Sequence, residues 1–494
     1  MRINKLSGGM SGFLKIVRRF IIPGLIVVAI LYFFVIRKAV FFSTARGPLD
    51  TMERQLDSIP ELQAIHSGDR VLILAPHPDD EILGTGGLIQ NVISAGAAVR
   101  IAYLTNGDHD QIVFKIDTRR IIMSPATYIA FGEKRRRESI GIVESLGLKR
   151  EDLYFLGYPD SGLLEIWDNH WQDAPAFLNK LTGSNKVPYA DNFSFGAPYK
   201  GESILNDLKK ILKEYRPTII FVTMPDDTNV DHEAAFCFIT AASVSFSSEP
   251  ALKILLYLIH QGDWPRPYYF HPEVPLLPPG NLKNSDLKWF KLLLKPRETE
   301  IKYRDILEFK TAILKVRYYL WTAFARRNEL YASQPELQLK KIGPGSIPDW
   351  EKSLQFYGRG IGEMEDTPEF QLNLRSVSYI RTAEDKLLIK VSLEKTPPVK
   401  TGISLYLFGL RRNIPFGSMP KIRATVLPFS RVTVHDGLKS ITDSGIKLSG
   451  DKQNLLFEVP LADLGNPEKL FTSLRVHRGE LSLDATAWHL IDLK

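Results

Sequence analysis

The stretch of sequence richest in reactive side chains is Ala75-Pro76-His77-Pro78-Asp79-Asp80-Glu81, which follows directly on the apolar run Val71 to Ala75. An imidazole and several carboxylates crowded at the end of a buried strand are costly unless a cation or solvent compensates them. His77 and Asp80 are three residues apart, so a tight turn entering a helix can aim both at one point. Nitrogen plus carboxylate oxygen is a donor set that suits zinc. Asp79 cannot easily share that direction, which leaves it free to act on a water that the ion acidifies. Gly84, Gly86 and Gly87 let the following helix start close to the sheet.

A catalytic zinc needs a third protein ligand and an open position. A later strong strand, Thr218 to Thr223, runs into Met224-Pro225-Asp226-Asp227-Thr228-Asn229-Val230-Asp231-His232, again a strand end entering a helix. His232 is the best third ligand among the ten histidines, and Asp231 is a candidate partner behind the ligands. Either turn alone reads equally well as an ordinary polar loop. Two of them, each at a strand end of one α/β unit, point to a metal-assisted active site.

The elements that must position these residues follow from the apolar pattern. Val71 to Ala75, Val99 to Leu104, Leu153 to Leu156 and Thr218 to Thr223 read as strands. Helical stretches alternate with them: Gly86 to Ala95, Glu133 to Leu146 and Ile204 to Tyr215. Continuous apolar strands alternating with amphipathic helices predict an α/β, Rossmann-like, mostly parallel sheet with helices on both faces. In such sheets the chemistry collects at the carboxyl ends of the strands. Residues 266–297 are proline-rich, and a long helix is expected from about Glu298 to Tyr331. Residues 336–370 read as a linker. Residues 371–494 carry several short strands between turn residues, the pattern of an all-β sandwich.

Taken in order, PHPDDEILGTGG (76–87), LTNGD (104–108), RRRESIGIVESLG (135–147), GYPDSGL (157–163) and RPTIIFVTMPDDTNVDHEAA (216–235) resemble the PIG-L (LmbE-like) family of zinc-dependent de-N-acetylases. FARRNELYA (324–332) is a weaker continuation, so the resemblance covers about residues 70–335, within an expected deacetylase domain of 67–335. It implies His77, Asp80 and His232 as ligands of Zn2+ and Asp79 as general base. It also implies Arg135 and Asp160 in a sugar pocket. Many members carry a histidine where this chain has Asn229, in a role that polarises the carbonyl or protonates the leaving amine. An amide can donate a hydrogen bond there but cannot supply a proton. The proton then falls to Asp79 or to another group, with His260 as a stand-in. The implied activity is zinc-dependent hydrolysis of the N-acetyl group of an N-acetylglucosamine-type sugar in a glycan or glycolipid, releasing acetate. The alternatives are a zinc amidase acting on a non-sugar or thiol-conjugate amide, and a non-catalytic glycan-binding membrane protein.

The chain has 494 residues, enough for more than one globular unit, and a formal charge of +7. Much of that excess sits near the N-terminus and in Lys134 to Arg137, with no nucleic-acid-binding signature beside it, so no nucleic-acid partner is expected. The single cysteine, Cys237, permits no intramolecular disulfide and reads as a buried thiol on an apolar helix face. Residues 20–36 (FIIPGLIVVAILYFFVI) are uncharged and about long enough to cross a bilayer. Arg2, Lys5, Lys15, Arg18 and Arg19 precede them in a basic tail (1–19), and a linker (37–66) opening with Arg37-Lys38 follows. This predicts an uncleaved single-pass anchor with a cytoplasmic N-terminus and an extracytoplasmic body; the alternative is a signal peptide cleaved near Ser43-Thr44-Ala45. For the C-terminal sandwich the expectation is a glycan-binding accessory domain; Trp488 and Tyr406 are candidate stacking rings, with core packing the commoner role for such rings.

Overall fold

The computed structural model describes residues 49–109, 124–244, 246, 252–282, 285–312, 318–359, 374–398, 400–427, 432–479 and 481–493. The chain divides into two units, 1–59 and 60–494. The described part of the first is chiefly a helix over 49–58. The expected anchor, residues 20–36, lies outside the described residues. Among those described, no helix is long and apolar enough to cross a membrane.

The second unit opens with an α/β half. Its strands are β1 (Arg70–Ala75), β2 (Ala98–Thr105), β3 (Leu153–Tyr158), β4 (Ile219–Thr223), β5 (Lys253–Tyr257), β6 (Lys288–Leu293) and β7 (Asn328–Ser333). They form one seven-stranded sheet in the order β3-β2-β1-β4-β5-β7-β6. The first five run parallel, and β7 and β6 add an antiparallel edge. The chain moves outward from β1 to β2 and β3, then returns to place β4 on the other side of β1. That reversal opens a crevice between the carboxyl ends of β1 and β4, where open α/β sheets bind ligands. Leu74 is in register with Val222, so the turns that follow the two strands meet there although far apart in sequence.

Side chains alternate along β1, and both faces are covered. Val71, Ile73 and Ala75 share a core with Ile82, Leu83 and Leu88 of the helix Asp80–Ser94, Ile142 and Val143 of the helix Pro125–Ser145, and Ile306 of the helix Pro296–Glu308. Leu72 and Leu74 are equally buried on the other face. There the helix Val230–Val244 packs against β1 and β4 and is backed by the helices Leu163–Asn169 and Gly201–Tyr215. Cys237 is buried in Val230–Val244. The helix Asp80–Ser94 lies close on the sheet because Gly84 has no side chain: a Cβ there would come within 2.3 Å of the Tyr257 ring.

Two expectations are corrected here. The long helix expected from Glu298 to Tyr331 ends at Glu308, and Asn328–Ser333 is instead strand β7. Pairing with β5 and β6 outweighs the helical pattern of that segment, and local propensity is a weak prior against such tertiary contacts. The expected linker 336–370 contributes β8 (Leu337–Gln338) and β9 (Leu354–Phe356), strands too short to show a periodicity.

The remaining strands are β10 (Leu374–Arg381), β11 (Lys386–Leu393), β12 (Gly402–Leu410), β13 (Lys421–Val426), β14 (Thr433–Asp436), β15 (Lys439–Ile441), β16 (Lys447–Gly450), β17 (Asn454–Pro460), β18 (Lys469–Arg478), β19 (Leu481–Ala485) and β20 (His489–Asp492). One sheet has the order β16-β17-β11-β10-β9 and the other β15-β14-β13-β12-β18-β20-β8, with β19 pairing on β18. Val377, Leu387, Leu405 and Leu474 join both sheets in one core. Trp488 and Tyr406 are buried at 0% and 7% exposure, which is the core-packing reading of these rings and not the stacking one. They line a boundary with the α/β half rather than a surface. Trp167 fills that boundary, with ring centroids of Phe238, Phe416, Phe471 and Trp488 at 5.1–5.8 Å. Rings from both halves therefore form one aromatic core. Beside it, the Arg475 guanidinium pairs with Asp168 of the helix Leu163–Asn169.

Candidate metal centre and active site

The turn after β1 carries the donors. Asp80 begins the helix Asp80–Ser94, and its Oδ2 accepts from the His77 backbone N–H at 2.9 Å, which closes the turn. His77 Nδ1 then lies 3.2 Å from Asp80 Oδ2. His232, in the first turn of Val230–Val244, brings Nε2 to 3.1 Å from the same oxygen and 3.3 Å from His77 Nδ1. Ligand atoms about 2.0–2.1 Å from a tetrahedral zinc lie about 3.3 Å from one another. The three donor atoms thus have the spacing of one face of such a tetrahedron.

The far nitrogens of both imidazoles are tied by carboxylates. His77 Nε2 faces Asp231 Oδ2 at 3.2 Å and Asp160 Oδ1 at 3.4 Å. His232 Nδ1 faces Asp227 Oδ2 at 3.0 Å. A proton donated outward to these carboxylates leaves the inner lone pairs for an ion, and it also fixes the ring orientations. Asp227 is itself held by the backbone N–H groups of Ile259 and His260, at 3.0 and 2.9 Å. Asp231 accepts from the backbone N–H groups of Ser161 at 2.5 Å and Leu163 at 3.0 Å.

Five buried carboxylates, Asp79, Asp80, Asp160, Asp227 and Asp231, surround two imidazoles and the Arg135 guanidinium. Burial works against charge on His232, but Asp227 and Asp80 raise its pKa to about 9. Burial would raise Asp80, yet His232 and His77 hold its carboxyl well below the usual range. Such a field favours a cation.

Asp79 points elsewhere, as its neighbour's role requires. It is a non-glycine residue at φ 123°, a conformation that costs on the order of 1–3 kcal/mol. Glu81 stabilises it by accepting the Asp79 N–H at 2.7 Å through Oε2, while Ser139 donates to Glu81 Oε1 at 3.0 Å. Burial pushes the Asp79 carboxyl well above the ordinary carboxylate range, although the Arg135 charge opposes this. That is the direction a base working near neutral pH requires.

The structure brings His77, Asp79, Asp80, Asp160, Asp231, His232 and Arg135 together. The two implied for a sugar pocket also make contacts within this cluster. Arg135 donates to Asp79 Oδ2 at 2.5 Å, to Pro78 O at 2.7 Å and to Gly107 O at 2.9 Å, so it grips the base and its turn. Asp160 turns toward His77 and accepts the His109 N–H at 2.9 Å. Asn229 spends its Oδ1 on the Asp231 N–H at 2.9 Å, capping the start of Val230–Val244. His260 packs its ring 4.8 Å from that of His232, and burial lowers its pKa to about 4. It is a poor proton donor at neutral pH. Sequence reasoning missed Asp227 and Glu81. The second Pro-Asp-Asp (225–227), which parallels Pro78-Asp79-Asp80, was the available signal for Asp227.

Residues 72–243 match the family model PIG-L, described as GlcNAc-PI de-N-acetylase. A curated 1D-myo-inositol 2-acetamido-2-deoxy-alpha-D-glucopyranoside deacetylase of Kineococcus radiotolerans is 31% identical over 127 residues, 24% of this chain and 32% of its own. A protein of the same name from Corynebacterium glutamicum (strain R) is 25% identical over 161 residues, 32% of this chain and 47% of its own. The chain thus spans about a third to just under a half of the length of these relatives. Among solved structures, N,N'-diacetylchitobiose deacetylase from Pyrococcus horikoshii is similar at 16% identity and a TM-score of 0.34, covering 65% of this chain and 86% of that one.

Proposed function

We propose that the chain is a zinc-dependent hydrolase of the PIG-L class that removes the acetyl group from an N-acetylglucosamine-type sugar in a glycan or glycolipid. The observation that carries this reading is the pair of imidazoles, each tied by a carboxylate on its outer nitrogen, that meet Asp80 at one point. The family match and the names of the two curated relatives support the choice of an acetamido sugar.

His77 Nδ1, His232 Nε2 and Asp80 would hold the zinc, which when bound supplies Lewis acidity and lowers the pKa of water toward neutrality. Asp79 stands outside the donor triangle and takes the proton of the attacking water. Arg135 keeps the Asp79 oxygen aimed while the carboxyl cycles between its two protonation states. With His260 neutral and Asn229 unable to supply a proton, Asp79 is the group that returns the proton to the departing amine. Acetate leaves, and a free amine remains on the sugar.

The test is acetate release by the full-length protein from a panel of N-acetylated glycans, glycolipids and thiol-conjugate amides, with zinc content measured in parallel. Stoichiometric zinc with turnover only on non-sugar amides would overturn the sugar assignment. Absence of bound zinc would overturn the metal assignment.

The same reading places the protein at a membrane, anchored through residues 20–36 with its catalytic body extracytoplasmic. Its support is the five basic residues ahead of the apolar run against Arg37 and Lys38 immediately after it. A reporter fused after Lys494 should be active only outside the cytoplasm; activity confined to the cytoplasm would reverse the topology.

A further inference from the structure

The turn that carries His232 is gripped by a side chain from outside the α/β half. Arg359 follows β9, and its side chain is buried, with 6% exposed. Its Nη2 donates to Glu233 Oε1 and Oε2 at 3.1 and 3.2 Å. Its Nη1 donates to Pro225 O at 2.8 Å and to Asp227 O at 3.2 Å. Glu233 is the residue after His232, and Asp227 is the residue whose carboxylate holds His232 Nδ1. One guanidinium therefore ties the start of the Met224 to His232 turn to the helix it enters. A planar fork of five donors can meet a carboxylate and two carbonyls at once, whereas a lysine ammonium meets them only as a point charge.

The segment that bears Arg359 has little freedom of its own. Gly358 N–H donates to Leu374 O at 3.3 Å, and Arg359 N–H donates to Ala485 O at 2.8 Å. A Cβ on Gly358 would come within 2.6 Å of Asp484 Oδ2 and 2.8 Å of Leu374 O. The chain is thus threaded against β10 and β19, and the sandwich determines where the guanidinium lies.

We propose that Arg359 is a positioning residue for the metal centre, through which the C-terminal sandwich holds His232 Nε2 at the point it shares with His77 and Asp80. The assignment rests on the zinc reading of that site. Its physical content is that Arg359 braces the backbone of Asp227, and Asp227 in turn orients the imidazole. Loss of a residue that orients a metal ligand typically costs about 10–100-fold in metal affinity, and one step further back the lower end, about 10-fold, is expected.

The experiment measures zinc affinity of the full-length protein by chelator competition, with the visible spectrum of the cobalt-loaded protein as a report on ligand geometry. Wild type, Arg359→Gln, Arg359→Lys and Gly358→Ala are compared at a temperature where each is folded by circular dichroism. In Arg359→Gln the zinc Kd should rise about 10-fold and the cobalt spectrum should change, with Arg359→Lys recovering part of the loss. A merely structural arginine would lower the melting temperature and leave both readouts of the folded protein unmoved; that result overturns the assignment. Gly358→Ala keeps the guanidinium but shifts the backbone that carries it, so it should also weaken zinc binding. Should Arg359→Gln not fold, wild-type affinity in Gly358→Ala overturns the assignment instead. A wild-type protein that binds neither zinc nor cobalt would overturn the reading of the site itself, and this assignment with it.

Discussion

Asp79 and Asp80 are adjacent, yet one is held at φ 123° against Arg135 and the other faces two imidazoles. Their substitutions should therefore separate. Asp79→Asn keeps the size and removes the basic oxygen, so zinc should stay bound while turnover falls by about 10² or more. Asp80→Asn weakens a metal ligand, so zinc affinity and activity should fall together. Metal analysis and single-turnover rates on the two variants check this; near-normal turnover in zinc-loaded Asp79→Asn would remove it as the base. Asn229→His places an imidazole at the entry to Val230–Val244, beside the donor cluster. It also removes the oxygen that caps Val230–Val244, a loss of about 1 kcal/mol. A gain in turnover below neutral pH, read beside a lowered melting temperature, is the expected pair of results.

At the scale of elements, the site depends on how closely the helix Asp80–Ser94 approaches the sheet. Gly84 faces the ring of Tyr257, whose hydroxyl donates to Leu74 O at 3.0 Å in β1. Gly84→Ala must push that ring or the helix aside. Overpacking of this kind costs about 1–3 kcal/mol, which a shift in denaturant midpoint would register. Because Asp80 opens the same helix, zinc affinity should fall as well. A variant with unchanged midpoint and zinc affinity would show that the contact is freely relieved.

For the whole molecule, the two halves share an interior rather than a tether. Deleting residues 371–494 would strip Phe416, Phe471 and Trp488 from Trp167 and expose its ring. A cooperatively folding 1–370 fragment is not expected, and its recovery with full activity would make the sandwich dispensable. The boundary also carries a pH signature. Lys421 donates to Phe416 O at 2.5 Å and Met419 O at 2.8 Å, and its ammonium lies 4.9 Å from the Trp171 ring centroid. Burial lowers its pKa to about 7, against the opposing charges of Asp436 and Glu202. Between that value and the ordinary lysine pKa of about 10.4, the unfolded chain holds a proton that the folded chain has released. This group's contribution to stability therefore rises with pH across that window and is lost as pH falls through about 7. Denaturant midpoints at pH 7 and pH 9 should show the rise in wild type and a smaller one in Lys421→Met. An equal rise in both would assign it to other groups.

Much of the chemistry was legible in the sequence because it is local. His77, Asp79 and Asp80 lie in one turn, and a strand entering a helix imposes their divergence. The alternation of apolar strands with helices predicted the parallel sheet, and hence that the turns after Ala75 and Thr223 would lie at strand ends. Pairing was not legible. Only the strand order, with β4 beside β1, brings His232 to His77. Asp231 was legible as a partner behind the ligands, but only tertiary contact makes Asp227 the carboxylate behind His232, turns Arg135 onto Asp79, and recruits Asn328–Ser333 into the sheet. The same holds for the sandwich, whose Trp488 and Tyr406 carry no mark in the sequence to separate an exposed stacking ring from an interior one. Spacing along the chain encodes geometry only over a turn or two, whereas packing across a boundary depends on which surfaces the fold brings together.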